Sequence, residues 1–122
     1  MVFRTRRYSD GGEEPKAGYS RAVRRGLHIA VSGTTASGPD TYTQTLAALQ
    51  QALRAIHELG GLVDDVMRTR VYLAPAADWE GAARAHAEVM GKQAPANTML
   101  HVAALIGDGF LVEVEVDAVV PI

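Results

Sequence analysis

The chain contains no cysteine, which excludes disulfide bonds, thiol nucleophiles and thiolate metal sites. Its histidines are scattered, because no two of them stand two, three or four residues apart as metal-binding pairs usually do. We therefore expect no metal site. The histidines are His28, His57, His86 and His101. Of these, His86 falls on an apolar helix face and is interpreted as a packed core residue.

Long apolar runs are also missing from the sequence. No segment approaches the length that crosses a membrane, and the first residues, MVFRTRRYSDGG, lack the apolar core of a secretion signal. We therefore expect a cytoplasmic protein with no membrane partner.

Basic residues are unevenly distributed behind a net charge of −2, because residues 1–25 hold seven of the 12 lysines and arginines. Such a segment is able to contact nucleic acid. It equally suits the solvated edge of a sheet, where basic side chains discourage edge-to-edge pairing. Few aromatic residues accompany these charges, so nucleic acid ranks last among the partners we consider.

The length of 122 residues and the 48% hydrophobic content suit one globular domain, which we assign to residues 1–122. Apolar periodicity and turn signals predict an α+β order, β-β-β-α-β-α-β-β, with both helices on one face of a single sheet. The predicted strands cover residues 2–8, 19–25, 27–33 and 65–73, with two more within 95–119. The predicted helices cover 41–59 and 79–90, and residues 10–18 are predicted to form a loop.

The helix ends carry recognisable signals. Thr41 and Gln44 have the spacing of a capping box, Asp78 suits an N-cap, and Gly60-Gly61 suits a helix end. The apolar face predicted for the first helix comprises Tyr42, Leu46, Leu49, Leu53, Ile56 and Leu59. The face predicted for the second comprises Trp79, Ala82, Ala83, His86, Val89 and Met90.

The stretch 95–119 predicts a hairpin, with Gly107-Asp108-Gly109 as its tight turn. In its second strand valines alternate with acids, so Glu113, Glu115 and Asp117 share one face. The strand at 65–73 likewise separates Met67, Thr69, Val71 and Leu73 from Val66, Arg68, Arg70 and Tyr72. Charges on such a face must meet solvent or pair across an interface.

Two features could carry chemistry, and each has a structural alternative. A partly buried carboxylate such as Glu113 can orient water and pass protons, or it can form an ion pair with Arg68 or Arg70. Gly33 can let a ligand approach the backbone, or it can simply end its strand.

Several short motifs, in this order and spacing, resemble the RidA/YjgF family of reactive-intermediate deaminases, also described as endoribonuclease L-PSP-like. No single motif is specific, but together they extend over nearly the whole chain. They are Gly18-Tyr19-Ser20, Val31-Ser32-Gly33, Asp65-Val66-Met67-Arg68-Thr69, Pro95-Ala96 and Val112-Glu113-Val114-Glu115.

The resemblance implies a chorismate-mutase-like α+β fold and a homotrimer whose sheets line a central barrel, with ligand clefts between subunits. Members of the family hydrolyse enamines and imines, formed from amino acids, to keto acids and ammonia without a cofactor. Other members have been assigned RNA cleavage or inhibition of translation. In this chain the resemblance implies Glu113 as the catalytic residue. The implied substrate-binding residues are Tyr19, Ser32, Gly33, Thr34, Arg70, Asn97 and Thr98.

The chain departs from the deaminase pattern at three places. Asn97 stands where that pattern has an arginine that grips the substrate carboxylate. Thr34 replaces a glutamine, and Ala17-Gly18-Tyr19 replaces Gly-Pro-Tyr. Either Arg70 supplies the missing positive charge or the substrate lacks a carboxylate. The structural alternative is that Arg70 neutralises Glu113 or Glu115.

Three functions follow from these observations. The first is hydrolysis of a small imine, enamine or related C–N metabolite, with Glu113 positioning the attacking water. The second is a non-catalytic small-molecule-binding or regulatory trimer, which the neutral Asn97 favours. The third is RNA binding or cleavage through the basic N-terminal quarter.

Overall fold

The computed structural model describes residues 4–7 and 14–122, with side chains described from residue 16 onward. Six strands form one sheet: β1 (Arg4–Arg7), β2 (Ala22–Arg25), β3 (His28–Thr34), β4 (Val66–Leu73), β5 (Ala96–His101) and β6 (Val112–Val119). The helices are α1 (Glu14–Ala17), α2 (Thr41–Glu58) and α3 (Trp79–Met90), with a short 3₁₀ helix at Val63–Asp65. The predicted α+β order is confirmed.

The differences near the N-terminus are small. The single-turn helix α1 lies in the segment predicted as a loop, so that prediction is wrong for Glu14–Ala17. The strand predicted over residues 2–8 appears as β1, and its remaining positions lie outside the described residues, as do residues 10–13 of the predicted loop.

The strand order in the sheet is β1-β2-β3-β6-β4-β5. All neighbours are antiparallel except β4 and β5, which run parallel. Strands β3 and β4 both flank β6 in antiparallel fashion, so they too point the same way. Parallel strands need a crossover, and α2 and α3 supply the two crossovers required. The helices pack against each other, and α2 covers β3 and β6.

The predicted hairpin is wrong. Strand β6 does not pair with β5, because β4 lies between them. Gly107 and Gly109 do adopt positive φ angles of 101° and 80°, as their turn composition suggested. They lie, however, in a connection that passes the end of β4 rather than in a two-stranded turn. The fully buried valines of β6 occupy the sheet centre, whereas β5 is an exposed edge strand.

Side-chain alternation on the central strands is largely as predicted. Val112, Val114 and Val116 are fully buried, and the acids of β6 lie on the other face. In β4 the same holds from Thr69 onward, but Met67 is 56% exposed and Val66 is buried. The register shift between Val66 and Arg68 exchanges the faces of these first residues. The sheet face opposite the helices is called the open face below.

The helix-capping prediction is wrong for α2. Asp40 is the N-cap and accepts a hydrogen bond from Thr43 N at 2.8 Å, while Thr41 and Gln44 are buried. The N-cap of α3 is Asp78, as predicted.

The two predicted apolar stripes are only partly observed. In α2 small residues supply much of the buried face, which lets the helix lie close to the sheet. That face comprises Thr41, Gln44, Thr45, Ala48, Leu49, Ala52, Ala55 and Ile56. In α3, Trp79 was predicted to be buried but is 56% exposed.

Candidate active site

The three acids on the open face of β6 have different surroundings. Asp117 Oδ2 accepts an ion-paired hydrogen bond from Arg70 Nη1 at 3.0 Å. Glu115 accepts a hydrogen bond from the Tyr72 hydroxyl, and this bond, with burial, raises the pKa of the phenol. Among the described side chains, Glu113 has neither a hydrogen-bond donor nor a cationic partner.

This distribution corrects one of the two roles considered for Arg70, that of neutralising Glu113 or Glu115. Its guanidinium pairs with Asp117, not with Glu113 or Glu115, and the pair is about two-fifths exposed. An exposed pair of this kind contributes little to stability, about 0–1 kcal/mol. The Arg70 guanidinium is nevertheless ion-paired within the chain, so a substrate would have to compete with Asp117 for it.

Gly33 allows Glu113 to lie against the backbone of β3. A Cβ added at Gly33 would overlap Glu113 Oε2 and would lie 2.9 Å from Glu113 Cδ. Strand β3 continues to Thr34, so Gly33 does not simply end the strand. The space that a side chain at Gly33 would fill is occupied by the Glu113 carboxyl group.

Two cavities border Glu113 and Gly33. One, of about 310 Å³, extends past Tyr72, Leu105 and Glu115. The other, of about 420 Å³, extends past Tyr19, Arg21 and Ile106. The structure therefore brings three predicted site residues together around one carboxylate: Tyr19, Gly33 and Glu113.

The two hydroxyl residues beside Gly33 serve the backbone. Ser32 Oγ donates to Ser20 O at 2.7 Å, and Thr34 Oγ1 donates to Ser32 O at 2.9 Å. Thr34 is only 2% exposed and lines neither cavity, whereas Thr35 lines the larger one. Thr34 therefore supports the strand rather than facing a ligand in this chain.

Arg21 is a site residue that the sequence analysis missed. Its Nη2 donates to Ser32 O at 2.6 Å and also to Gly33 O, and its side chain lines the larger Glu113 cavity. Its sequence context predicts only a basic residue at the solvated edge of a sheet. The alternation with buried Ala22 was the available signal, since it places Arg21 on the open face.

Asn97 lies on the other side of the sheet. Its Nδ2 donates to Thr69 Oγ1 at 3.0 Å, and Thr69 Oγ1 lies 2.7 Å from Nε2 of His86 on α3. It lines a third cavity, of about 370 Å³, with Trp79 and Ala83. Within one chain, therefore, Asn97 and Glu113 lie on opposite faces of the sheet.

The contacts of Asn97 fix the direction of its amide group. Thr69 O lies 3.5 Å from the same nitrogen, and a carbonyl oxygen attracts an amide N–H rather than an amide oxygen. Burial lowers the pKa of His86, which favours a neutral ring able to accept the Thr69 hydroxyl proton. Asn97 is thus held with its oxygen turned away from Thr69.

The last predicted site residue, Thr98, belongs to the open face. It pairs with Arg70 in the parallel register of β4 and β5, and it alternates with Asn97 along the edge strand. Thr98 and Asn97 therefore contribute to different faces.

Within residues 4–7 and 14–122, no three His, Asp or Glu side chains are grouped so that they could hold a metal ion. None of the described helices has both the length and the apolar character needed to span a membrane.

Comparison with known proteins identifies the family of this chain. A family model described as Endoribonuclease L-PSP matches residues 12–120. The uncharacterized protein SCO2049 of Streptomyces coelicolor is 39% identical over 112 residues, covering 86% of this chain and 84% of that protein.

Solved structures agree with this match. Rv2704 from Mycobacterium tuberculosis, a member of the YjgF/YER057c/UK114 family, is 44% identical with a TM-score of 0.91, covering 97% of this chain and 100% of that chain. PA3499 from Pseudomonas aeruginosa, a protein of unknown function, is 26% identical with a TM-score of 0.86, covering 100% of this chain and 96% of that one. The sequence motifs, the sheet topology and these matches agree: the chain belongs to the endoribonuclease L-PSP family, which is the family of YjgF and RidA.

Proposed function

We propose that this protein hydrolyses a small imine, enamine or related C–N metabolite, with Glu113 as the group that positions and deprotonates the attacking water. The observation that carries the proposal is the difference among the open-face acids. Glu115 and Asp117 are engaged by Tyr72 and Arg70, whereas Glu113 has no partner among the described side chains and borders two cavities. An unpaired carboxylate that borders a cavity is suited to proton transfer with a ligand or water.

The proposed reaction adds water across the C=N bond. The water oxygen bonds to the carbon while Glu113 accepts a water proton, and that proton is then delivered to the nitrogen. The carbinolamine then collapses: its hydroxyl proton passes to the nitrogen, the C–N bond breaks, the C=O bond forms and ammonia leaves. This sequence needs a carboxylate near the reacting carbon and consumes only water, so no cofactor enters the proposal.

The complete site is proposed to form between two subunits of a homotrimer. The Asn97 half-site and the Glu113 half-site lie on opposite faces of the sheet, so one chain does not supply both to the same ligand. A neighbouring subunit that presents its edge strand β5 to the open face would bring them together. Such an assembly would also cover exposed apolar side chains, including Leu100, which is 42% exposed.

A non-catalytic binding trimer is the second candidate, and Asn97 is the observation that favours it. An amide is neutral and cannot reproduce the charge-assisted fork of an arginine. This alternative predicts ligand affinity without turnover. RNA recognition has less support, because Arg24 is 9% exposed and donates to Leu59 O, so it does not add to a basic surface.

The hydrolase proposal is tested by following the decay of imines that an amino-acid oxidase generates from several amino acids. We expect the protein to accelerate decay above the buffer rate in proportion to its concentration. Binding of the corresponding keto acid with no acceleration for any amino acid would reject the hydrolase and favour the binding trimer.

A further inference from the structure

We propose that Arg21 is the anion-binding group of this site and holds the substrate carboxylate in the Glu113 cavity. The inference rests on the proposed function and refines it, since it names the residue that binds the substrate carboxylate. It assigns to Arg21 the task that the deaminase pattern gives to an arginine at position 97.

The first argument is the position and pairing of Arg21. Nη2 of its guanidinium donates to two backbone carbonyls, Ser32 O and Gly33 O. These neutral acceptors orient the guanidinium and leave its positive charge uncompensated. Among the described residues it meets no carboxylate, in contrast to Arg70, which is paired with Asp117. Its Nε is buried and has no acceptor within the described part of the chain. The buried Nε cannot reach a ligand, but Nη1 has no hydrogen bond among the described residues and is not a buried atom, so it is the donor left for a ligand.

The second argument is that Asn97 is unsuited to a carboxylate. Its amide nitrogen is engaged by Thr69, so the group left for a ligand is an oxygen, which accepts hydrogen bonds and repels an anion. That oxygen suits an N–H or O–H of the substrate. A carboxylate must then find its donor elsewhere in the assembled cleft.

The third argument is the chemistry that the two charges permit together. Arg21 and Glu113 line one cavity of about 420 Å³. Both lie against Gly33, because Arg21 donates to its carbonyl oxygen and Glu113 fills the space where its Cβ would be. In a 2-imino acid the carbon attacked by water is bonded directly to the carboxylate. A carboxylate on Arg21 therefore places the reacting carbon next to the water of Glu113, while Tyr19 and Ile106 offer apolar surface to the substrate side chain.

The test uses the full chain and 2-oxobutanoate, the keto acid that such an imine would yield, titrated calorimetrically beside its uncharged amide. We expect the wild type to bind the acid and to bind the amide much more weakly. Arg21→Met should weaken binding of the acid by about 10- to 100-fold, the usual effect of losing charged hydrogen bonds. Arg21→Lys keeps the charge but cannot hold both Ser32 O and Gly33 O with the same geometry, so its affinity should fall between those of the wild type and Arg21→Met.

Arg54→Gln is the matched control, because it removes one arginine from the exposed face of α2 and should leave affinity unchanged. Thermal melting identifies any variant that fails to fold. A structure of the wild-type complex gives an answer independent of the variants, with the carboxylate expected within hydrogen-bonding distance of the Arg21 guanidinium.

Four results would overturn the assignment: no binding of the acid, equal binding of acid and amide, an Arg21→Met affinity equal to that of Arg54→Gln, or a carboxylate seated on Arg70 or Asn97. The outcome separates this inference from the hydrolase proposal. Imine hydrolysis with an unchanged KM in Arg21→Met rejects Arg21 alone. Keto-acid binding that depends on Arg21 without imine hydrolysis rejects the hydrolase alone.

Discussion

Replacing Glu113 with glutamine is expected to lower the rate of imine hydrolysis by about 10²- to 10⁴-fold, the usual contribution of a positioned general base. The amide keeps the shape of the side chain but cannot take a proton from water. Because no described side chain pairs with Glu113, the substitution strands no buried cation, and the protein should fold normally. Initial rates of imine decay, with keto-acid affinity measured beside them, check this result.

Asp117→Asn is the matched control for Glu113→Gln, because it makes the same chemical change on the same strand and face. Asp117 is paired with Arg70 and borders neither Glu113 cavity, so the rate should stay close to that of the wild type. A Glu113→Gln protein that hydrolyses imines as fast as Asp117→Asn would remove Glu113 from the mechanism.

Gly33→Ala tests the role of Glu113 by displacing its carboxyl group rather than by removing its charge. The new methyl group would occupy the space of the Glu113 carboxyl group, which must then rotate away. We expect a lower rate of hydrolysis with the carboxylate still present, and a free energy of unfolding changed by less than about 1 kcal/mol, since a flexible side chain can move aside.

The largest expected loss of stability comes from Gln44→Met. Gln44 is 2% exposed, and its side chain donates to Gly38 O and Gly109 O, both at 3.0 Å, and accepts from Leu111 N at 2.8 Å. Methionine has similar length but leaves these backbone groups without partners. Gly38 and Gly109 are exposed residues whose carbonyls can turn to water, so the cost is that of losing three hydrogen bonds at about 0.5–1.5 kcal/mol each. We therefore expect the free energy of unfolding to fall by about 2–4 kcal/mol.

Urea denaturation measures this loss, with Gln51→Met as the control at an exposed position of the same helix. Equal stability of the two variants would show that Gln44 does not anchor the connection between β5 and β6. Because that connection leads into β6 and carries Leu105 and Ile106, which line the Glu113 cavities, Gln44→Met should also reduce activity.

The sequence was most informative where one element contains the whole signal. Alternation alone placed the valines of β6 inside and the acids outside, and Asp78 alone marked the start of α3. These features depend on neighbours along the chain, which a single sequence displays.

Features that depend on distant residues were not predictable. A pattern of period two identifies β6 as a strand but does not show that it lies between β3 and β4. Thr41 resembled a cap, yet it is buried and accepts a hydrogen bond from Asp78 N at 2.9 Å.

The candidate site was likewise predictable from local motifs but not where it depends on distant residues. The motifs pointed to Glu113 and Gly33, which meet in the fold. Arg21 could not be distinguished from a solvated edge charge, because its role depends on carbonyls of the neighbouring strand β3. The placement of Asn97 and Glu113 on opposite faces follows from the registers of β5 and β6 against β4, which the wrong hairpin prediction could not supply.

The central claim is a hydrolytic site built from Glu113 of one subunit and the Asn97 half-site of another. It is tested by mixing two inactive variants, Glu113→Gln and Ala83→Phe, the latter to fill the cavity beside Asn97. In a mixed trimer one interface pairs an intact Glu113 with an open cavity, so random mixing in equal amounts should restore about a quarter of the wild-type imine hydrolysis. Activity in the mixture no greater than that of the two separate variants would contradict the shared site.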